Sequence, residues 1–124
     1  MQKPTASELE LLRILWAQGP STVRQVHEAL EKHRSVGYTS VLKLLQIMTT
    51  KGLVRRNEDQ RAHLYAAEHP ATDMKRELAG EMLHKVFGGS ASELMMHALD
   101  GRITSRQELD DLRRLLDQYE DKTK

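Results

Sequence analysis

The chain has 124 residues, no cysteine, and 19 Lys/Arg against 18 Asp/Glu for a formal net charge of +1. That length suits one ordinary domain or a small domain with an appended helical part; the lack of thiols excludes a disulfide framework and thiolate metal sites, and the near balance of charge excludes a generally basic nucleic-acid coat. No apolar run approaches the roughly 20 residues that cross a bilayer, and Met1-Gln2-Lys3-Pro4 leads into a charged, capped helix rather than a signal peptide, so the expectation is no membrane association and a cytoplasmic location.

Thr5-Ala6-Ser7-Glu8 fits a capping box, and the helix it opens runs to about Gln18, where Gly19-Pro20 ends it on steric and hydrogen-bonding grounds. Its face of Leu9, Leu12, Leu15 and Trp16, with Leu11 and Ile14 beside it, is too apolar for a surface helix and predicts the central core element, Trp16 packing rather than stacking on a ligand. Thr22 caps a second helix with Gln25 three residues on; Val23, Val26 and Leu30 supply its buried side, and it ends near Lys32-His33.

Arg34-Ser35-Val36-Gly37 leads into a third helix, Tyr38 to Lys51, closed by Gly52. Helical spacing stacks Val41, Leu45 and Met48 on one side and Thr39, Lys43, Gln46 and Thr50 on the opposite one. No acid lies between Glu31 and Glu58, whereas Lys32, Arg34, Lys43, Lys51, Arg55 and Arg56 all do, which predicts positive potential around the polar face. A Lys and a Gln on a wet helix face are common in soluble domains, so the case for a polyanionic partner depends on the surroundings. Two helices joined by a short turn, the second polar outward, have the organisation of a helix-turn-helix.

After Gly52 the period becomes alternating. Leu53 to Arg56 and His63 to Ala66 read as two short strands around the turn-rich Asn57-Glu58-Asp59-Gln60. Three helices followed by a hairpin predict a winged helix, with the third helix in a major groove of double-stranded DNA and Arg55, Arg56 and Arg61 suited to phosphates, since guanidinium forks match phosphate oxygens.

From Pro70 the chain is helical again. Met74, Leu78, Met82 or Leu83, and Val86 mark a helix up to Gly88-Gly89; Ser90-Ala91-Ser92-Glu93 caps one carrying Leu94, Met95 and Leu99 that ends at Asp100-Gly101. Ser105-Arg106-Gln107-Glu108 caps the last, with Leu109, Leu112, Leu116 and Tyr119 on a near-heptad seam. These helices are too few to bury a core of their own, and a second copy of the chain is the simplest cover; the alternative is a fold back onto the N-terminal part. The expected fold is therefore mainly α with a small β-hairpin wing: a winged helix-turn-helix DNA-binding domain over 1–69 and a helical dimerisation region over 70–124, with Met74, Leu78, Leu94, Leu99, Leu109, Leu112, Leu116 and Tyr119 as its dimer residues. Residues 1–69 hold 10 Lys/Arg against 7 Asp/Glu and residues 70–124 hold 9 against 11, an asymmetry that agrees with an anionic partner for the first part.

Chemistry is not expected. His27, His33, His63, His69, His84 and His97 include no i, i+4 pair, and there is no nucleophile elbow or phosphate-cradling glycine loop, so the expectation is no metal, no cofactor and no catalysis. Asp110-Asp111 suits the solvated first turn of a helix, and Met82, Met95 and Met96 suit a helical core better than a ligand cavity.

Glu8 to Trp16 followed by Ser21-Thr22-Val23, then Tyr38 to Leu45, Lys51-Gly52-Leu53-Val54 and Arg61-Ala62-His63-Leu64-Tyr65, resembles the penicillinase-repressor (BlaI/MecI) family with its copper-responsive relatives. The likeness covers about the first 70 residues in detail and the rest by layout. It implies a homodimeric bacterial repressor on a palindromic DNA operator, with interlocking C-terminal helices. It also implies a recognition helix from Tyr38 to Lys51 with Thr39, Ser40, Lys43 and Gln46 as base or phosphate contacts, Thr50 and Lys51 on the backbone, and Arg61 in the wing. Resistance-type members are released when a regulatory protease cleaves an Asn-Phe bond; here Leu94 to Leu99 carries His97-Ala98 at that place, which leaves the signal open between another protease specificity and a different route. The copper branch has a C-terminal cysteine cluster that this chain lacks. The rival readings are a ligand-responsive winged-helix regulator of the multidrug-resistance type and a winged-helix protein-interaction module without DNA binding.

Overall fold

The computed structural model describes residues 2–59, 61–100 and 105–123. In chain order they form α1 (Ala6–Gln18), α2 (Val23–Glu31), α3 (Tyr38–Lys51), β1 (Val54–Asn57), β2 (Leu64–Ala67), α4 (Ala71–Lys85), α5 (Ala91–Leu99) and α6 (Arg106–Lys122). The fold is mainly α with one antiparallel hairpin, a winged helix-turn-helix followed by further helices. Two compact units are present, Met1–Leu78 and Ala79–Lys124, so α4 begins in the first and ends in the second. Gln60 of the expected turn and Gly101, expected as a helix stop, lie outside the described residues. Among the described residues no helix is long and apolar enough to cross a membrane.

Local chemistry sets the ends of the first three helices. The Thr5 hydroxyl accepts from the Glu8 N–H at 3.2 Å while the Glu8 carboxylate accepts from the Thr5 N–H at 2.8 Å. Thr22 and Gln25 repeat the reciprocal pair at 3.1 and 2.9 Å, so both helices begin with their free amides satisfied. Gly52 ends α3 in the left-handed region at φ 79°, which a Cβ disfavours, and the Leu53 N–H closes back on the Met48 carbonyl at 2.9 Å.

The first unit's core combines Leu11, Leu12 and Leu15 of α1, Val23, Val26 and Leu30 of α2, Val41, Leu45 and Met48 of α3, then Leu53, Val54, Tyr65 and Met74. The apolar stripe of α1 is rotated from its expected centre: Leu11 is fully buried, while Leu9, Ile14 and Trp16 are half-buried against the cluster. The cause is the packing of α1 against three partners, α2, α3 and β2, which widens its buried arc. Trp16 packs as expected, and its Nε1–H donates to the His69 carbonyl at 3.1 Å.

The strands start one residue later than alternation predicts, pairing Val54 with Ala67, Arg55 with Ala66, Arg56 with Tyr65 and Asn57 with Leu64. Leu53 and His63 are left outside the ladder, although Leu53 is buried. Ser21 adds a bridge on the other edge of β2, its N–H and C=O exchanging bonds with Tyr65 at 2.9 and 2.8 Å. A single bridging residue has no periodicity, so the sequence carried no sign of it.

In the second unit, Ser90 and Ser105 accept from the Glu93 and Glu108 amides at 3.1 and 3.0 Å, so the serine half of each expected capping box caps α5 and α6 without the return bond seen at α1 and α2. Gly88 and Gly89 follow α4 with φ of 56° and 89°, the helix-breaking role expected of them. No residue of α5 or α6 is buried.

Candidate nucleic-acid interface

α3 carries the surface that the sequence singles out. With Val41, Leu45 and Met48 buried, Thr39, Ser40, Lys43, Gln46 and Thr50 are all exposed on the remaining arc. The Thr50 hydroxyl donates to the Gln46 carbonyl at 3.3 Å and the Thr49 hydroxyl to the Leu45 carbonyl at 2.8 Å, so the two threonines near the end of α3 bond back along it. Gly37 stands at the N-cap without a side-chain bond, leaving amides of the first turn available to an anion.

The approach to α3 is held by His27, a residue to which the sequence assigned no role. Its Nε2–H lies between two acceptors, the Val36 carbonyl at 2.7 Å and the Glu31 carboxylate at 2.9 Å, and its ring meets the Tyr38 ring edge-on at 5.8 Å between centroids. One imidazole of α2 thus ties the turn and the first residue of α3. Across from it, Arg34 binds Glu10 through Nε and Nη2 at 3.2 and 3.0 Å, fixing the same turn to α1.

The basic run is not free of acids in space. Lys51 pairs with Glu8 at 3.0 Å, Arg34 with Glu10, Arg56 with Glu58, and Arg55 reaches Glu68 at 3.9 Å. Among the described residues, Lys32 after α2, Lys43 on α3 and Arg61 in the wing have no ion pair within reach. Lys51 is a special case, because its partner Glu8 is only 1% exposed and already serves the α1 cap. Burial pushes the Glu8 carboxyl upward, but the Thr5 N–H, the Lys51 ammonium and the Thr5 hydroxyl outweigh it and hold the carboxyl below its ordinary value. The end of α3 is thereby anchored to the start of α1.

Between α3 and the hairpin runs an open groove of about 560 Å³, lined on the helix side by Tyr38, Leu42 and Gln46 and on the wing side by Arg56, Arg61 and His63. Polar groups of α3 and the guanidinium groups of the wing face one channel, an arrangement suited to a phosphate backbone. Among the described residues no group of three or more His, Asp or Glu comes together as a metal would need.

The expected dimer residues separate into two sets. Met74 is a buried member of the first unit's core and Leu78 packs against it. Leu94, Leu99, Leu109 and Leu112 are half-buried, and Leu116 and Tyr119 are exposed.

A family model described as "Penicillinase repressor" matches residues 4–118. The chain is 37% identical over 108 residues to the transcriptional regulator BlaI of Mycobacterium tuberculosis, covering 86% of this chain and 77% of that protein. It is 19% identical over 110 residues to the penicillinase repressor of Staphylococcus aureus, covering 89% and 87%. Among solved structures it is similar to the reduced form of MarR from E. coli, at 20% identity and a TM-score of 0.47 over 94% of this chain and 77% of that one. The family match takes in the capped helices, the polar face of α3 and the hairpin, and runs on into α6: the chain belongs to the penicillinase repressor family.

Proposed function

We propose that this chain is a transcriptional repressor that binds a two-fold DNA operator as a homodimer and blocks transcription without catalysing any reaction. The observation that carries the reading is the outward arc of α3: Thr39, Ser40, Gln46 and Thr50 around Lys43, which has no ion pair among the described residues, opposite a fully buried apolar stripe. Side chains of this kind on one helix read base edges in a major groove, while Arg61 and Arg56 across the wing groove suit the flanking phosphates. Tyr38 and Arg55 lie at the margins of that footprint. Lys51 acts chiefly as the anchor to Glu8.

The division of labour assigns DNA to residues 1–69 and dimerisation to residues 70–124. Of the nine exposed large hydrophobics among the described residues, seven fall in the second unit: Met82, Val86, Met95, Met96, Leu115, Leu116 and Tyr119. That much apolar surface favours cover by a second copy, and two-fold symmetry then matches a palindromic operator. Release by a regulatory protease would act near His97-Ala98 in the last turn of α5, where both residues are exposed. A cytoplasmic location follows from the repressor reading itself.

Fluorescence anisotropy against DNA from the chain's own promoter region and a random duplex of equal length, at two salt concentrations, tests the reading. Tight, sequence-dependent binding with two chains per duplex is expected; equal binding to both duplexes would refute a specific operator. Lys43→Ala should weaken operator binding about tenfold or more, the cost of losing a base contact. Arg61→Ala should weaken all duplexes alike and lower the salt slope by about 1. Wild-type affinity in either variant at physiological salt would remove that residue from the interface.

A further inference from the structure

Within the first unit only two large hydrophobic side chains among the described residues are exposed, Tyr38 at 48% and Ile47 at 41%, and both lie on α3. They stand nine residues apart, about two and a half turns, and so flank the polar arc from opposite sides. Tyr38 has an internal reason to be there, its edge contact with His27. Ile47 has none of that kind. It lies one turn after Lys43 and three residues before Thr50, hence beside both on the outer surface. With Lys43 and Leu44 of α3 it lines one side of a shallow groove of about 360 Å³, whose other side is formed by Ser7 and Leu11 of α1 and by Arg34. A single exposed apolar residue is ordinary on a protein surface; what singles Ile47 out is its place, one turn from Lys43 on the polar arc, where it offers a branched apolar surface to whatever that arc meets.

In a major groove the base edges offer hydrogen-bonding groups and one apolar feature, the thymine 5-methyl. We propose that Ile47 is a specificity-determining residue that reads a thymine methyl in each operator half-site, next to the base contacted by Lys43. The inference rests on the DNA-binding reading above. One helical turn is about 5.4 Å and a base-pair step about 3.4 Å, so the two side chains reach bases one or two steps apart. Lys43 would take a guanine O6 or N7 while Ile47 takes the neighbouring methyl, making a short composite readout.

The test uses the full chain and a duplex that it selects from a random-sequence library. Each thymine of that duplex is replaced in turn by deoxyuridine, which removes only the 5-methyl, and affinities of wild type, Ile47→Val and Ile47→Ala are compared. Burying one methyl predicts that wild type loses about fourfold at one thymine per half-site. Ile47→Ala should lose at least as much on the unmodified duplex and show no further loss at that deoxyuridine, with Ile47→Val between. An Ile47→Ala protein that keeps the fourfold sensitivity, or a wild type indifferent to every deoxyuridine, overturns the assignment while leaving DNA binding intact. Failure of wild type to enrich any sequence overturns the DNA-binding reading and this inference with it. Alanine is a strong helix former at an exposed site, and an unchanged unfolding midpoint separates loss of readout from loss of fold.

Discussion

Glu8→Ala is expected to lower the stability of the first unit by about 3 kcal/mol, a large part of the total for a small domain. Two groups depend on this carboxylate, the Thr5 N–H at 2.8 Å and the Lys51 ammonium at 3.0 Å, whereas the Thr5 hydroxyl still accepts from the residue-8 amide in the variant. Losing the acceptor of the Thr5 N–H costs about 1 kcal/mol. The rest comes from Lys51, only 29% exposed, left beside a cavity without its counter-charge. Urea or thermal unfolding at pH 7 checks the figure, with a melting shift on the order of 15 °C for a unit of this size. Glu8→Gln, which keeps an acceptor for Thr5 but not the charge, should lose about half as much.

The pH dependence has a definite sign. Because the folded carboxyl is held below its ordinary value, its contribution is present above the unfolded pKa of about 4.3 and is lost as pH falls through the lower folded value. The gap between wild type and Glu8→Gln should therefore be full at pH 7 and shrink in acid below about pH 4. A gap that stays constant down to acid pH would mean that the ion pair contributes nothing, and that the loss comes only from packing.

This pair also shows where reading the sequence stops. The caps at Thr5 and Thr22, the limits of α3 at Tyr38 and Lys51 and the stop at Gly52 were legible because each is decided within a few residues, by a side chain reaching its own backbone or by a glycine's freedom at positive φ. The buried stripe of α3 was legible from helical period alone. The run from Lys32 to Arg56 was legible as acid-free, but Glu8, Glu10, Glu58 and Glu68 return to it from outside, across as many as 43 positions for Lys51. No local pattern reports a partner at that distance. The same holds for His27, whose acceptors include Val36 nine positions on, and for Ser21 against Tyr65. In consequence the cationic character is concentrated: of the run and the wing, Lys32, Lys43 and Arg61 remain for an external anion where the sequence advertised a broad basic strip, and of these Lys43 alone stands on the polar face of α3. Ile47 is the complementary omission, since a pattern that sorts residues into buried apolar and exposed polar has no class for an apolar residue that is exposed because its partner is another molecule.

The limit of the DNA-binding part was expected at Pro70, and Met74 gives a reason to cut later. Met74 is 1% exposed in the first unit's core and Leu78 packs on it, so a fragment of residues 1–69 removes a buried side chain and opens its site to water. Loss of a buried methionine costs about 3 kcal/mol, and 1–69 should be less stable than 1–78 by that amount. The longer fragment keeps the core, the His69 carbonyl bonded to Trp16 and the whole polar arc of α3. It should be folded and monomeric by sedimentation. Its affinity for the operator should fall by about 10² or more, because two recognition helices joined in one dimer bind the second half-site as an intramolecular event. Leu116→Glu in the full chain, at a position 66% exposed and far along α6 in sequence from the interface residues, should reproduce the loss of dimer and of affinity without unfolding the first unit. A 1–78 fragment that still sediments as a dimer would move the dimer contacts into the winged helix itself, and the exposed leucines of α6 would then need a different partner.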